Sequence, residues 1–334
     1  MFAKSIGAVF NLEIEPQDGK LYSFYDLDNG FSLSKDQDRL GTEFLQEYFV
    51  QKVGRFEIDD LVNNMYIYNI SNLDELPKEL QPDNHFAVFQ NINAMLHAWL
   101  FSLWFVKDNS VNIRTMYLYL IDSDKSSVDM ISQNKVNSTA RGKQECVKFT
   151  MGELSESLDW LDILSLYLKG KEKNGKQEKN RKTEFRKDDS EHIYGTDNRF
   201  LRAMRFIMEA RGETFLPSKI TSYISALESM LSTSTTELKF QVSERAAKLI
   251  GGSLEEQMAN FDIVREAYDA RSAYVHGSVV NRKYRNGNKL EELAVKLDDL
   301  MRNLMKVMLQ KHTELATMKQ EELSVWYKKL MFKK

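Results

Sequence analysis

The chain has a single cysteine, Cys146, so it can close no internal disulfide and build no cysteine-rich zinc site. Its five histidines, His85, His97, His192, His276 and His312, stand far apart, and no two have a metal-ligand spacing such as H-x3-H. No HExxH, Walker loop or GxGxxG occurs. Four prolines and 15 glycines in 334 residues exclude a collagen-like or proline-rich chain. A net charge of −3 excludes global attraction to nucleic acid, so any basic site must be local. The N-terminus, MFAKSIGAVF, lacks the long apolar run of a signal peptide. These absences lead to the expectation of a cytoplasmic protein that needs no metal and no cofactor.

What is present is ordinary core material. Hydrophobic residues make up 42% of the chain, with 19 Phe, 14 Tyr and 4 Trp, enough for about two domains. From 84 to 106 no Asp, Glu, Lys or Arg occurs, a length that can cross a bilayer. Gln90, Asn91, Asn93 and His97 interrupt it, and Phe86, Phe89, Asn93, Leu96, Trp99, Leu100 and Leu103 follow helical spacing. The expectation is a buried core helix and no membrane. His85 and His97 read as core or partly buried residues, not ligands.

The chain divides into three parts. Residues 1–168 are aromatic-rich and mixed in pattern, and read as an α+β domain with a sensing or regulatory role. Turn dipeptides Asp18-Gly19 and Asn29-Gly30 break its first strands, and the second fits a hairpin. Residues 111–121, VNIRTMYLYLI, form the strongest strand pattern. Residues 154–168 carry Leu154, Leu158, Leu161, Leu164 and Leu168 on one helical stripe. Residues 169–191 form a basic linker. Within it, 169–187 hold nine basic and three acidic residues, a net charge of +6. It is either a plain soluble linker or an arm that meets phosphates, with Lys179, Arg181 and Lys182 as the contacts.

Residues 192–334 read as a helical bundle. Phe200, Met204, Ile207 and Met208 form one stripe, ended by Gly212, and Pro217 opens the next helix. Ile220, Tyr223, Ile224, Leu227 and Leu231 keep helical spacing. Ser234 to Glu237 and Ser253 to Glu256 each have capping-box form. The first opens a helix stopped by Gly251-Gly252. The second opens a helix with Leu254, Met258, Phe261, Val264, Tyr268 and Val275, stopped by Gly277. A last long helix starts near Lys289 with Leu290, Leu293, Leu297, Leu300, Leu304 and Met308. Met301, Met305 and Leu309 form a second stripe on it, an apolar supply for pairing two copies.

Within this part stands YDARSAYVHG, in which Arg271 and His276 are separated by four residues. A second pair of similar spacing, Arg186 and His192, has no apolar stripe to hold it. The Arg271/His276 segment resembles the R-x4–6-H motif of HEPN domains, helical bundles of which many are ribonucleases. Ala226-Leu227-Glu228, the Arg245 to Leu249 helix and the RS…VHG ending together resemble the Apea-like branch, found in bacterial anti-phage systems. The likeness spans roughly residues 199–308. The stretch around WFVKDNSV resembles, less distinctly, the domain that often precedes this branch.

The resemblance implies a metal-independent endoribonuclease in phage defence, leaving 2′,3′-cyclic phosphate ends. Its alternatives are a non-catalytic RNA-binding or scaffold protein, and a HEPN toxin held by a separate antitoxin. A histidine of near-neutral pKa can move protons at the 2′-OH or the 5′-oxygen, and a guanidinium can hold two phosphoryl oxygens. His276 is therefore the acid/base candidate and Arg271 the phosphate-stabilising one. Side chains five residues apart point about 140° apart on a helix, so His276 must turn back at the helix end to meet Arg271. Glu228 shares a row with Ile224 and Leu231, where a lone carboxylate is costly, and pairing with Arg271 would relieve it. It either orients Arg271 for catalysis or forms a structural ion pair. Ser272 stands where many HEPN nucleases carry Asn, Asp or His, and where the Apea-like ending carries Ser. Tyr274 either stacks on a base or packs in the core. The implied partners are RNA, a second copy through the bundle, and a phage-derived trigger at the N-terminal domain.

Overall fold

A computed structural model describes residues 2–15, 24–27, 30–72, 85–121, 126–133, 135–168, 198–275 and 288–332. The chain forms two compact units. One takes Met1–Val136 and Glu145–Arg186, the other Asn137–Gln144 and Lys187–Lys334. The first is a sheet with helices, the second is helical. The short stretch Asn137–Gln144, read from the sequence as part of the first domain, belongs to the second unit.

In the first unit the strands are β1 (Phe2–Phe10), β2 (Leu12–Ile14), β3 (Phe24–Leu27), β4 (Phe31–Ser34), β5 (Met65–Asn72), β6 (Asn112–Ile113), β7 (Thr115–Ile121), β8 (Ser126–Ser132) and β9 (Val147–Phe149). The main sheet runs β3-β4-β5-β1-β7-β8, with antiparallel neighbours and β6 also on β1. β2 and β9 make a separate parallel pair. The β3–β4 hairpin forms as expected, with Gly30 at φ +82° and its N–H donating to the Leu27 carbonyl at 3.1 Å. The expected single strand 111–121 is broken at Arg114. Val9 pairs with Ile113 while Ile6 pairs with Tyr117, so the β6–β7 side carries one residue too many. That is a bulge, and Gly7 opposite it leaves no room for a side chain: a Cβ there would lie 2.9 Å from the Thr115 carbonyl oxygen.

Period-two alternation gives the sheet two apolar faces. One face, with Val9, Ile67, Met116 and Leu118, packs against α4 (His85–Val106) and α5 (Met151–Leu168) through Trp99, Leu103, Leu154 and Leu161. The other face, with Ile6, Tyr66, Tyr68, Tyr117 and Tyr119, packs against α1 (Gln37–Glu43), α2 (Glu47–Val53) and α3 (Arg55–Asn63) through Leu40, Phe49 and Leu61. The charge-free stretch is thus a helix of the core, and no helix among the described residues is long and apolar enough to cross a membrane.

The second unit contains, among the described residues, α6 (Arg199–Gly212), α7 (Leu216–Leu231), α8 (Leu238–Ile250), α9 (Leu254–Val275), α10 (Asn288–Lys311), a short 3-10 turn (Thr313–Ala316) and α11 (Gln320–Met331). α7 is the hub, packed against α6, α8, α9 and α10, and Ile220, Tyr223, Ile224, Leu227 and Leu231 are wholly buried as their spacing predicts. Tyr223 donates to Asp298 on α10, and Arg302 closes that buried group through its ion pair with Asp298. α11, absent from the sequence reading, buries Tyr327 under the Arg245 guanidinium, 4.4 Å from the ring centroid.

Two expectations fail here and a third holds only in part. Ser234 to Glu237 makes no capping box: Glu237 adopts φ +52° as the residue before the helix, and Ser234 bonds to Thr236 and Gln241 instead. Ser253 and Glu256 do form theirs, at 2.7 and 3.2 Å. The stripe read on α9 is buried only in its middle: Val264 and Tyr268 face inward together with Ala267 and Ala270, whereas Leu254, Met258 and Val275 are 68%, 58% and 55% exposed. Met301, Met305 and Leu309 are buried inside the unit, so they are not an exposed supply for pairing two copies. α10 has apolar side chains on two faces because neighbours cover both.

Candidate functional site

Two helices build the site. α7 begins after Phe215 with Pro217 in its first turn, and α9 begins on the Ser253 box and runs past Arg271. Their packing sets the end of α9 against α7. Glu228 lies one turn before the end of α7. Its carboxylate oxygen Oε1 accepts from Arg271 Nη1 at 2.7 Å and from the Tyr268 hydroxyl at 3.0 Å. The two donors are i and i+3 on α9, hence on one face of that helix. The Arg271 and Glu228 side chains are 30% and 21% exposed, so the pair is partly screened and partly open to a ligand.

Tyr268 is buried, and its hydroxyl is pushed well above the ordinary phenol range by burial first and by the Glu228 charge second. It therefore stays protonated and acts on Glu228 as a donor. Glu228 is the partner Arg271 has among the described residues, and a guanidinium has five N–H donors. The remaining donors suit an oxyanion such as phosphate.

The structure places the sequence-derived residues unequally. Arg271 and Glu228 meet. Ser272 is exposed beside Arg271. Tyr274 is 40% exposed, so it is not the packed core residue that was one of its two readings. Its hydroxyl lies 3.3 Å from Ser218 Oγ, and its ring meets Phe215 edge-on at 5.6 Å. His276, Lys179, Arg181 and Lys182 lie outside the described residues, as does the Arg186/His192 pair.

Two participants escaped the sequence. Tyr268 read as one more apolar residue of a stripe, although its place three residues before Arg271 marks it as a neighbour. Phe215 precedes a helix and carries no pattern of its own. A hollow between α8 and α9, lined by Glu237, Lys239, Phe240 and Arg265, contains none of the site residues. Among the described residues no cluster of three or more His, Cys, Asp or Glu side chains could hold a metal ion. No family model, no curated protein and no solved structure matches the chain.

Proposed function

We propose that the protein is a cytoplasmic HEPN-type endoribonuclease that cleaves RNA without a metal ion and acts in defence against phage. The observation that supports this reading is the Arg271–Glu228 pair, buttressed by Tyr268, in the last turns of the helix that leads into His276. In the proposed chemistry the 2′-oxygen attacks the adjacent phosphorus and the bond to the 5′-oxygen breaks. Arg271 stabilises the charge that builds on the non-bridging oxygens. His276 transfers the proton that the 2′-OH loses or the 5′-oxygen gains. The products carry a 2′,3′-cyclic phosphate and a free 5′-hydroxyl.

One histidine cannot be base and acid in the same step, so the active unit is a homodimer in which two copies bring their His276 residues together. With Met301, Met305 and Leu309 buried, the pairing surface lies elsewhere on the helical unit. The sheet unit receives the trigger, a phage-derived molecule. The segment 169–187 adds phosphate contacts through Lys179, Arg181 and Lys182.

The deciding experiment incubates the full chain with total RNA and with tRNA in excess chelator, beside His276→Ala and Arg271→Ala. Cleavage by the wild type alone, with cyclic phosphate ends, is expected. Activity that vanishes in chelator and returns with magnesium, or that survives both substitutions, overturns the reading. Binding without turnover makes the protein an RNA-binding scaffold.

A further inference from the structure

The stretch Asn137–Gln144 enters the helical unit from between β8 and β9. Ser138 anchors it: its N–H donates to the Arg211 carbonyl at 2.7 Å and its hydroxyl to the Glu213 carbonyl at 2.6 Å. Gly142 presses on the turn between α6 and α7. It holds φ +74°, and a Cβ there would lie 2.3 Å from the Thr214 carbonyl oxygen. Arg141, the residue before it, is exposed and so adjoins in the chain the glycine that meets the turn carrying Phe215. Arg141 makes no ion pair among the described residues, whereas Lys143 meets Glu291 at 3.4 Å.

Phe215 is 56% exposed, and its ring meets the exposed ring of Tyr274, three residues beyond Arg271 on α9. Two large aromatic rings held edge to face in solvent are an unspent stacking surface. Arg141 precedes the glycine that touches the turn before Phe215, and Arg271 lies one helical turn before Tyr274 on α9, so both ends of the ring pair have a cation close in the chain. A nucleic-acid strand offers the complement, an aromatic base between two phosphates. We infer that Arg141, Phe215 and Tyr274 form a recognition surface for an unpaired nucleotide, its base on the two rings and its phosphate on Arg141. This inference deepens the proposed function, since it places that nucleotide next to the phosphate held by Arg271. A paired base has both faces covered in the helix stack and cannot use the ledge.

The test measures binding of the full-length protein to a fluorescent 2′-O-methyl hexanucleotide by anisotropy. That probe has no 2′-OH and cannot be cleaved, so the outcome is independent of catalysis. The single strand is expected to bind at least about tenfold tighter than the same strand annealed to its complement. Phe215→Ala and Tyr274→Ala each raise Kd about tenfold, the usual loss of a stacking ring, while Tyr274→Phe, which keeps the ring, stays near the wild type. Arg141→Ala lowers the slope of log affinity against log salt by about 0.7. Glu213→Gln, which removes the acid of the same turn, tightens binding. Equal affinity of wild type, Phe215→Ala and Tyr274→Ala overturns the inference, as does equal binding of single strand and duplex. So does a sedimentation shift in Phe215→Ala with unchanged oligonucleotide affinity, which assigns the rings to a second copy. Absent cleavage of ordinary RNA sinks the nuclease reading and leaves this measurement standing.

Discussion

At the scale of single residues the site depends on one carboxylate oxygen with two donors. Glu228 Oε1 accepts from Arg271 and from Tyr268, so the two contacts are coupled through a shared atom. Tyr268→Phe removes a hydrogen bond to a charged group and is expected to cost about 1–2 kcal/mol. Glu228→Ala strips both donors of their acceptor and costs about 2 kcal/mol. Because the acceptor is common, the double variant is expected to be no worse than Glu228→Ala alone, a coupling equal to the Tyr268→Phe loss of about 1–2 kcal/mol in a double-mutant cycle. Urea midpoints of the four proteins check this, and simple additivity would mean that the shared oxygen is not a stabilising centre. The Arg271–Glu228 pairing was legible because a carboxylate in an apolar row demands a partner. Tyr268 was not, because a tyrosine at a core position looks the same in sequence whether its hydroxyl is used or idle.

At the scale of elements, stripes located the helices better than they located the buried faces. Tyr223 and Leu227 are in the core as their spacing requires, while Leu254 and Met258 satisfy the same spacing and face solvent. Periodicity shows that a face exists, and only the neighbours decide whether it is covered. The two capping-box patterns make the same point and yield a paired prediction. Ser253→Ala removes an acceptor at the start of α9 and is expected to cost about 1 kcal/mol. Ser234→Ala, whose box does not form, is expected to cost less than half as much, because Glu237 turns left-handed and the helix starts three residues later. Equal losses in thermal melts would contradict these helix starts.

α4 contributes one pH-dependent group to the sheet unit, His97. Burial lowers the His97 imidazole pKa below its ordinary value of 6.5. The unfolded chain then holds the proton more tightly than the folded one. The sign follows: the stability that neutral His97 contributes is complete above about pH 6.5 and is lost as pH falls toward the lowered folded value. The slope is at most about 1.4 kcal/mol per pH unit. Urea midpoints at pH 7.5 and 5.5 are expected to fall more for the wild type than for His97→Gln. Parallel losses would remove His97 as the source.

At the scale of the whole molecule, the order of the chain and the order of the units differ. A sequence boundary is legible where composition changes, as in the charged stretch 169–187. It is not legible where eight residues of ordinary composition cross from one unit to the other. Asn137–Gln144 does so, held by Ser138 on the Arg211 and Glu213 carbonyls and by Gly142 against Thr214. A helical unit produced from residue 192 onward therefore lacks a packed piece, and the Arg211 and Glu213 carbonyls lose their donors. Each hydrogen bond so lost contributes about 0.5–1.5 kcal/mol net. Residues 1–168, made as a second polypeptide, carry that piece. The expectation is that 1–168 and 192–334, coexpressed without a covalent link, purify together, and that 192–334 alone melts at a lower temperature than in the pair. Gly142→Ala, strained at φ +74° and directed at the Thr214 carbonyl, is expected to weaken the association. Size-exclusion chromatography decides it. Separate elution of the two polypeptides, with 192–334 as stable alone as in the full chain, would show that the inserted stretch contributes nothing to the fold of the helical unit.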